Sequence, residues 1–251
     1  MFGKLRCSNG RCAKLASLVL LANCLMVQIV CADTYYGLDF EGAELASEGV
    51  QDNGKFYRLR TGGGGQDGKF SSGGRGSALL LETGPTPAGA NYDRTELQIY
   101  SGITWERPWH VGFDLFLPRN AKISDDWQLL LQCPQHGVAT SPPISLNLYP
   151  ESTLTLVSRT ESDTYEPLGS VALPRGRWVS VVMGFRMGAN GYARLWIDGK
   201  KVVSVSSALG WKQGKQQCTL KTGIYRGRTD NGFSLKLDNI ALGDHYKDVA
   251  R

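Results

Sequence analysis

The chain has 251 residues, 28 lysines and arginines against 23 acidic residues, and a pI near 8.9. The positive excess is local, because Lys4, Arg6, Arg11 and Lys14 all precede the first acidic residue, Asp33. Residues 33–251 keep 24 basic side chains against 23 acidic ones, a net charge of +1, which excludes a global basic field of the kind that attracts nucleic acid. An anionic ligand must be held by a local cluster instead.

Residues 1–32 read as a signal peptide. The basic stretch is followed by the apolar run LASLVLLANCLMVQIV (15–30), then by Val30-Cys31-Ala32, small residues where a signal peptidase cuts. The run has 16 residues, short of the about 20 that span a bilayer. The expectation is export, to a secreted or periplasmic location, with no membrane attachment after cleavage. Four of the six cysteines leave with the leader, and Cys133 and Cys218 remain. Two cysteines in an exported chain invite one disulfide. It would close a loop of about 85 residues and contribute ~4.5 kcal/mol in the chain-entropy description. Two free buried thiols are the alternative.

Residues 33–251 carry no visible repeat and no long polar linker, so one domain is expected. No long segment keeps a helical apolar period free of Gly or Pro. Strand signals follow one another instead: Tyr35–Phe40, Lys55–Arg60, Ser77–Glu82, Arg94–Tyr100, His110–Leu117, Trp127–Cys133 and Ile144–Tyr149. They continue with Thr153–Ser158, Trp178–Arg186, Gly191–Ile197, Lys201–Ser206, Thr219–Tyr225 and Phe233–Leu242. Turn residues separate them, among them Pro118-Arg119-Asn120, Pro142-Pro143 and the hairpin signal Asp198-Gly199. Many short strands with regular turns predict an all-β sandwich or jelly roll. The stretch TGGGGQDGKFSSGGRG (61–76) lacks the Gly-Lys-Ser/Thr ending of a phosphate loop and reads as a mobile surface loop able to act as a lid.

Three stretches hold the candidate chemistry. In NYDRTELQIY (91–100), Leu97 and Ile99 alternate with polar residues, so Tyr92, Arg94, Glu96, Gln98 and Tyr100 share the opposite face. In TLKTGIYRG (219–227), Lys221, Gly223 and Tyr225 share one face, and Leu220, Thr222 and Ile224 the other. In WQLLLQCPQHG (127–137), Pro134 ends the ladder, leaving Gln132 near the strand end and His136 in a turn within reach of the same surface. Taken singly, these are an exposed ion pair, a packing tyrosine and a loop histidine. Together, Arg, Lys, Gln, His and Tyr are what a site acting on an acidic sugar polymer needs.

RTEL at 94–97, Gln followed by His at 132–136, and LKTGIY at 220–225 resemble the three signature strands of the β-jelly-roll polysaccharide lyases. Alginate lyases of this fold carry R-[ST]-E-L, Q-[IV]-H and Y-x-K-x-G-x-Y, and the glucuronan- and heparin-lyase-like group carries close variants. The surroundings HVGFDLFLP, LPRGRWVSVVMGF, ARLWIDGKKV and LDNIALG are similar too, so the likeness covers most of residues 35–243. The chain departs at Gln132-Cys-Pro-Gln135-His136, where either glutamine fits the family role. It departs also at Thr219, where alginate lyases have an aromatic residue, and at Arg226, where they have Asn. These departures point to the glucuronan/heparin-lyase-like branch.

The resemblance implies a concanavalin A-like jelly roll of two antiparallel sheets and cleavage of a 4-linked uronate by β-elimination. Neutralising the substrate carboxylate makes the C5 proton more acidic and stabilises the developing enolate-like charge. Arg94 can do this bidentately, and Gln132 or Gln135 and His136 add hydrogen bonds. Tyr225 donates to the departing O4. As a phenolate it also takes the C5 proton if both lie on one side of the ring; otherwise His136 is the base. Glu96, Gln98, Gln135, Lys221 and Arg226 are assigned to substrate binding, Glu96 also to orienting Arg94. The implied partner is an anionic polysaccharide, with no nucleic acid, met by a monomer without a cofactor or catalytic metal. A structural calcium stays open, although no Asp-rich loop announces one. A non-catalytic, lectin-like module is the alternative; it would keep the groove but need no proton carrier.

Overall fold

The computed structural model describes residues 34–251 except 53–54, 74–75, 139–140 and 160–163, so the leader expected over 1–32 lies outside the described residues. Two antiparallel sheets are present. One has nine strands in the order β12 (Tyr165–Ala172), β11 (Thr153–Arg159), β10 (Ile144–Tyr149), β9 (Gln128–Gln132), β16 (Gln217–Gly227), β7 (Tyr92–Thr104), β4 (Lys55–Gly62), β3 (Gly49–Asp52) and β2 (Glu44–Ala46). The other has eight: β15 (Lys200–Ser206), β14 (Tyr192–Ile197), β13 (Trp178–Arg186), β8 (Trp109–Phe116), β17 (Phe233–Gly243), β6 (Gly76–Thr83) and β5 (Lys69–Gly73), with β1 (Thr34–Leu38) beside β17.

Period-two alternation builds the core between the sheets. Leu97, Ile99 and Ile103 of β7 and Leu220 and Ile224 of β16 belong to one buried cluster with Val111, Phe113 and Leu115 of β8 and Leu235 and Leu237 of β17. Each such side chain fully withdrawn from water contributes about 1.5–3 kcal/mol. The same alternation turns Arg94 and Glu96, and Lys221 and Tyr225, to the outer face of the nine-stranded sheet. Antiparallel register then sets Tyr225 opposite Arg94, Gly223 opposite Glu96, and Lys221 opposite both Gln98 of β7 and Gln132 of β9. Gly223 has φ +139°, and a Cβ there would lie 2.5 Å from the Thr95 carbonyl oxygen. It sits where β16 has one more residue than β9 between Thr222 and Tyr225, a bulge that only glycine fits.

Three features depart from the sequence reading. The glycine-rich stretch is not one loose loop, because Lys69–Gly73 forms β5 on β6 and Phe70 packs against the core. Its first turn is tied down: the Gly64 amide donates to Asp93 Oδ1 (2.7 Å) and the Gln66 amide to Thr95 Oγ1 (3.1 Å). The short β2–β3 hairpin was not expected. Neither was β12, which carries Pro167 and Gly169; it is an edge strand, where a missing ladder donor is tolerated.

Candidate active site

A cleft of about 400 Å³ opens on the outer face of the nine-stranded sheet. Arg94, Gln132, Lys221 and Tyr225 line it, from three adjacent strands. Trp127 closes one side against Tyr225, ring centroids 4.7 Å apart and edge-on, and Tyr92 packs on the same ring at 5.6 Å. The Arg94 guanidinium carbon lies 4.0 Å from the Tyr225 ring centroid, so cation and phenol are stacked at the cleft floor.

Glu96 lies beneath them, fully buried, and does not line the cleft. It accepts a hydrogen bond from Gln132 Nε2 at 2.6 Å, and its Oε2 is 3.3 Å from Arg94 Nε. That second approach attracts charge but is not aligned as a hydrogen bond, and both atoms lack one. Burial pushes the Glu96 carboxyl up, opposed by the Gln132 hydrogen bond and by Arg94, Lys221 and Arg60. Burial pushes the Lys221 ammonium down, opposed chiefly by Glu96. A buried carboxylate thus sits under three cations, holds the Gln132 amide and faces Arg94 Nε. The rest of the Arg94 fork is left for a ligand.

The other residues singled out from the sequence are elsewhere. Arg226 is not at the cleft. As Tyr225's neighbour it points into the sandwich, fully buried, 3.2 Å from Asp93 Oδ2, and donates to the carbonyls of Gly84 (3.0 Å) and Asn231 (2.5 Å). Gln135 is buried and saturated: its amide donates to the Trp211 and Gln213 carbonyls and its oxygen accepts from the Trp211 amide. Substrate binding is therefore corrected for both, since neither has a free polar atom on the groove. Gln98 bonds Ser101 Oγ at 3.0 Å and is outside the cleft lining. His136 is also outside the lining, with Nε2 2.6 Å from Thr219 Oγ1. Pro134, two residues beyond Gln132, lines the cleft instead.

Cys133 and Cys218 form a disulfide, Cα atoms 5.4 Å apart, which ties the end of β9 to β16 and so fixes Gln132 against Lys221. The sequence reading missed Ser145, Asn147 and Arg159 of the cleft wall. Ser145 Oγ donates to Asn147 Oδ1 (2.7 Å), Asn147 Nδ2 to the Tyr149 hydroxyl (3.3 Å), and that hydroxyl to Tyr165 (2.8 Å). The signal was available: in ISLNLY (144–149) polar residues alternate with apolar ones, as they do in β7.

A polysaccharide lyase family profile matches residues 50–241. The chain belongs to this polysaccharide lyase family. Its members are carbon–oxygen lyases acting on polysaccharides, which makes the chain an enzyme with a polysaccharide substrate. No curated protein sequence matches it. Among solved structures, an endo-β-1,4-glucuronan lyase from the fungus Trichoderma reesei is similar over 86% of this chain and 98% of its own, with a TM-score of 0.62 and 15% identity. An alginate lyase of polysaccharide lyase family 7 is similar over 69% of this lyase and 82% of its own chain, TM-score 0.52, at 15% identity. A botulinum neurotoxin serotype D binding domain shares the sandwich at 11% identity, with a TM-score of 0.55, over 84% of this lyase and 48% of that chain. At such identities the likenesses establish the jelly-roll fold alone.

Proposed function

We propose that this lyase cleaves a 4-linked, uronic-acid-containing polysaccharide by β-elimination, the polymer being glucuronan-, alginate- or heparin-like. The observation that carries the reading is the convergence of Arg94, Gln132, Lys221 and Tyr225 in one cleft. Arg94, Gln132 and Lys221 surround the carboxylate and stabilise the charge that develops on it as the C5 proton leaves. Tyr225, stacked under Arg94, takes the C5 proton as phenolate; the C5–H electrons form the C4–C5 double bond and the C4–O4 bond breaks. The phenol then returns the proton to O4. One group serves as base and acid because the histidine sits off the cleft on Thr219. Glu96 acts from below, as a positioning residue for Arg94 and Gln132.

We also read the protein as exported. The basic, apolar and small-residue order of residues 1–32 supports this, and a disulfide is at home in an oxidising compartment. The test is a panel of purified polymers: polyglucuronate, alginate, heparin and a neutral glucan. Ultraviolet absorbance of the unsaturated uronate product should rise with at least one acidic polymer and not with the glucan. Cleavage of the neutral glucan alone would overturn the reading.

A further inference from the structure

The eight-stranded sheet also has an outer face, and it is not featureless. Val182, Trp196, Ala241 and Val249 form a small apolar cluster there, separate from the main core, with Tyr246 of the C-terminal helix α1 (Tyr246–Val249) packed on it. Beside this cluster is a cavity of about 400 Å³, within the ~300–1,000 Å³ range of small-ligand sites. Tyr246 packs on Trp196, ring centroids 4.7 Å apart; Trp196 is 7% exposed with Lys201 Nζ 5.6 Å from its centroid, so Tyr246 supplies most of the aromatic surface of this wall.

His110 of β8 lines this cavity and is 6% exposed. Its Nδ1 is 2.9 Å from the Asp244 carbonyl oxygen, which can only accept, so Nδ1 carries the hydrogen. In the neutral ring Nε2 is then an acceptor, and among the described residues it has no partner. Burial pushes the imidazole down, which keeps it neutral. The charges around it are unequal. Arg186 is paired with Glu106 at 2.8 Å and Asp244 with Arg107 at 2.9 Å. Arg194 stacks on Tyr192 at 4.4 Å and has no carboxylate partner among the described residues. His245 is exposed at the rim, its backbone amide bonded to Asp248.

We propose that this cavity is a second, non-catalytic site for a carboxylated sugar. Arg194 takes the carboxylate, His110 Nε2 accepts from a sugar hydroxyl, and the Trp196–Tyr246 wall meets the apolar face of the ring. A neutral sugar lacks the first element, and inorganic phosphate lacks the aromatic one. The site lies on the other sheet from the cleft, so it holds polymer beside the enzyme without touching the reacting bond. It does not depend on which linkage the cleft cuts.

The test is nuclear magnetic resonance on the full exported chain, reading the His110 ring and the Trp196 indole. D-Glucuronate, D-glucose and inorganic phosphate are the probes. Glucuronate should give saturable shifts at both reporters, glucose none, and phosphate weaker ones. Arg194→Gln should weaken glucuronate binding there by roughly tenfold or more, the worth of a charge-assisted hydrogen bond, and leave cleavage of short oligosaccharides unchanged. Absence of saturable shifts with glucuronate overturns the proposal, as does equal binding of glucose or an unaffected Arg194→Gln. Phosphate bound with an affinity equal to that of glucuronate reduces the cavity to an anion site and also overturns it. The wild-type comparison needs no variant, so misfolding of Arg194→Gln does not blunt the test. A lyase that cut no uronate polymer would leave these reporters readable.

Discussion

Tyr225→Phe removes one oxygen and nothing else from the cleft. The phenyl ring keeps Trp127 at 4.7 Å, Tyr92 at 5.6 Å and the Arg94 guanidinium at 4.0 Å, so the floor of the site stays packed. No hydrogen bond within the protein depends on that hydroxyl among the described residues, and the stability cost should be small. Carboxylate binding, which falls to Arg94, Gln132 and Lys221, should change little. What is lost is the only proton carrier of the proposed mechanism in the cleft lining. Removing a positioned acid or base costs roughly 10²–10⁴-fold, or about 3–5 kcal/mol of barrier. Initial rates of unsaturated-product formation on the best polymer give the loss in kcat, and binding measured separately should stay within about twofold. Retention of more than about half the wild-type rate would refute the acid/base role of Tyr225.

Four further outcomes follow from the same geometry. His136→Ala should lower the rate only mildly, since its ring is occupied by Thr219 outside the cleft; near-total loss on the same assay would make histidine the base. Glu96 should set the acid limb of the rate profile. Its carboxyl is pushed up by burial, so protonation begins above the ordinary glutamate range as pH falls, releasing Arg94, and Glu96→Gln should abolish that limb in a kcat/KM pH profile. Asp93→Ala leaves the fully buried Arg226 without its carboxylate and the Gly64 amide and Thr86 hydroxyl without their acceptor, and should destabilise the fold by about 3–5 kcal/mol in urea melts; a loss below about 1 kcal/mol would contradict this. Cys133→Ser with Cys218→Ser should remove ~2–4 kcal/mol, below the ~4.5 kcal/mol chain-entropy value for this loop as measured cross-links commonly are, and a melting point unchanged by reductant in the wild type would contradict this.

Most of the fold was legible because strand alternation is a local property. Trp178–Arg186 and Ile144–Tyr149 have the expected ends, and NYDRTELQIY extends its strand to Thr104. The strands that escaped are those whose composition hides them: Ser and Gly in β5, Pro167 in an edge strand, and three or four residues in β2 and β3. At the cleft, parity was the reliable guide. Arg94 and Glu96, then Lys221 and Tyr225, share their faces as two-residue spacing requires. Arg226 was misassigned against that rule, because a residue adjacent to Tyr225 on a strand must face the core. It is held there by Asp93, equally adjacent to Arg94 and facing inward with it, and by the Gly84 and Asn231 carbonyls.

Residues 133–136 run on past the end of β9 with Gln132 and Pro134 on the cleft and Cys133 and Gln135 inward, and the disulfide pins the segment. Cys133 bonds Cys218, and Gln135 is fixed as a bridge opposite Cys218 and saturated by the chain around Trp211. His136 is drawn along the same path, its amide donating to the Gln217 carbonyl and its ring held by Thr219. In the motif that the resemblance invokes, histidine stands two residues after glutamine; here that position is Pro134, which lines the cleft but carries no proton. The cross-link that holds Gln132 against Lys221 is thus part of the same segment that moves histidine away from Tyr225. In the proposed mechanism this leaves the cleft with donors for a carboxylate and a single phenol for the proton, so the C5 hydrogen and O4 must be presented on the same side of the sugar.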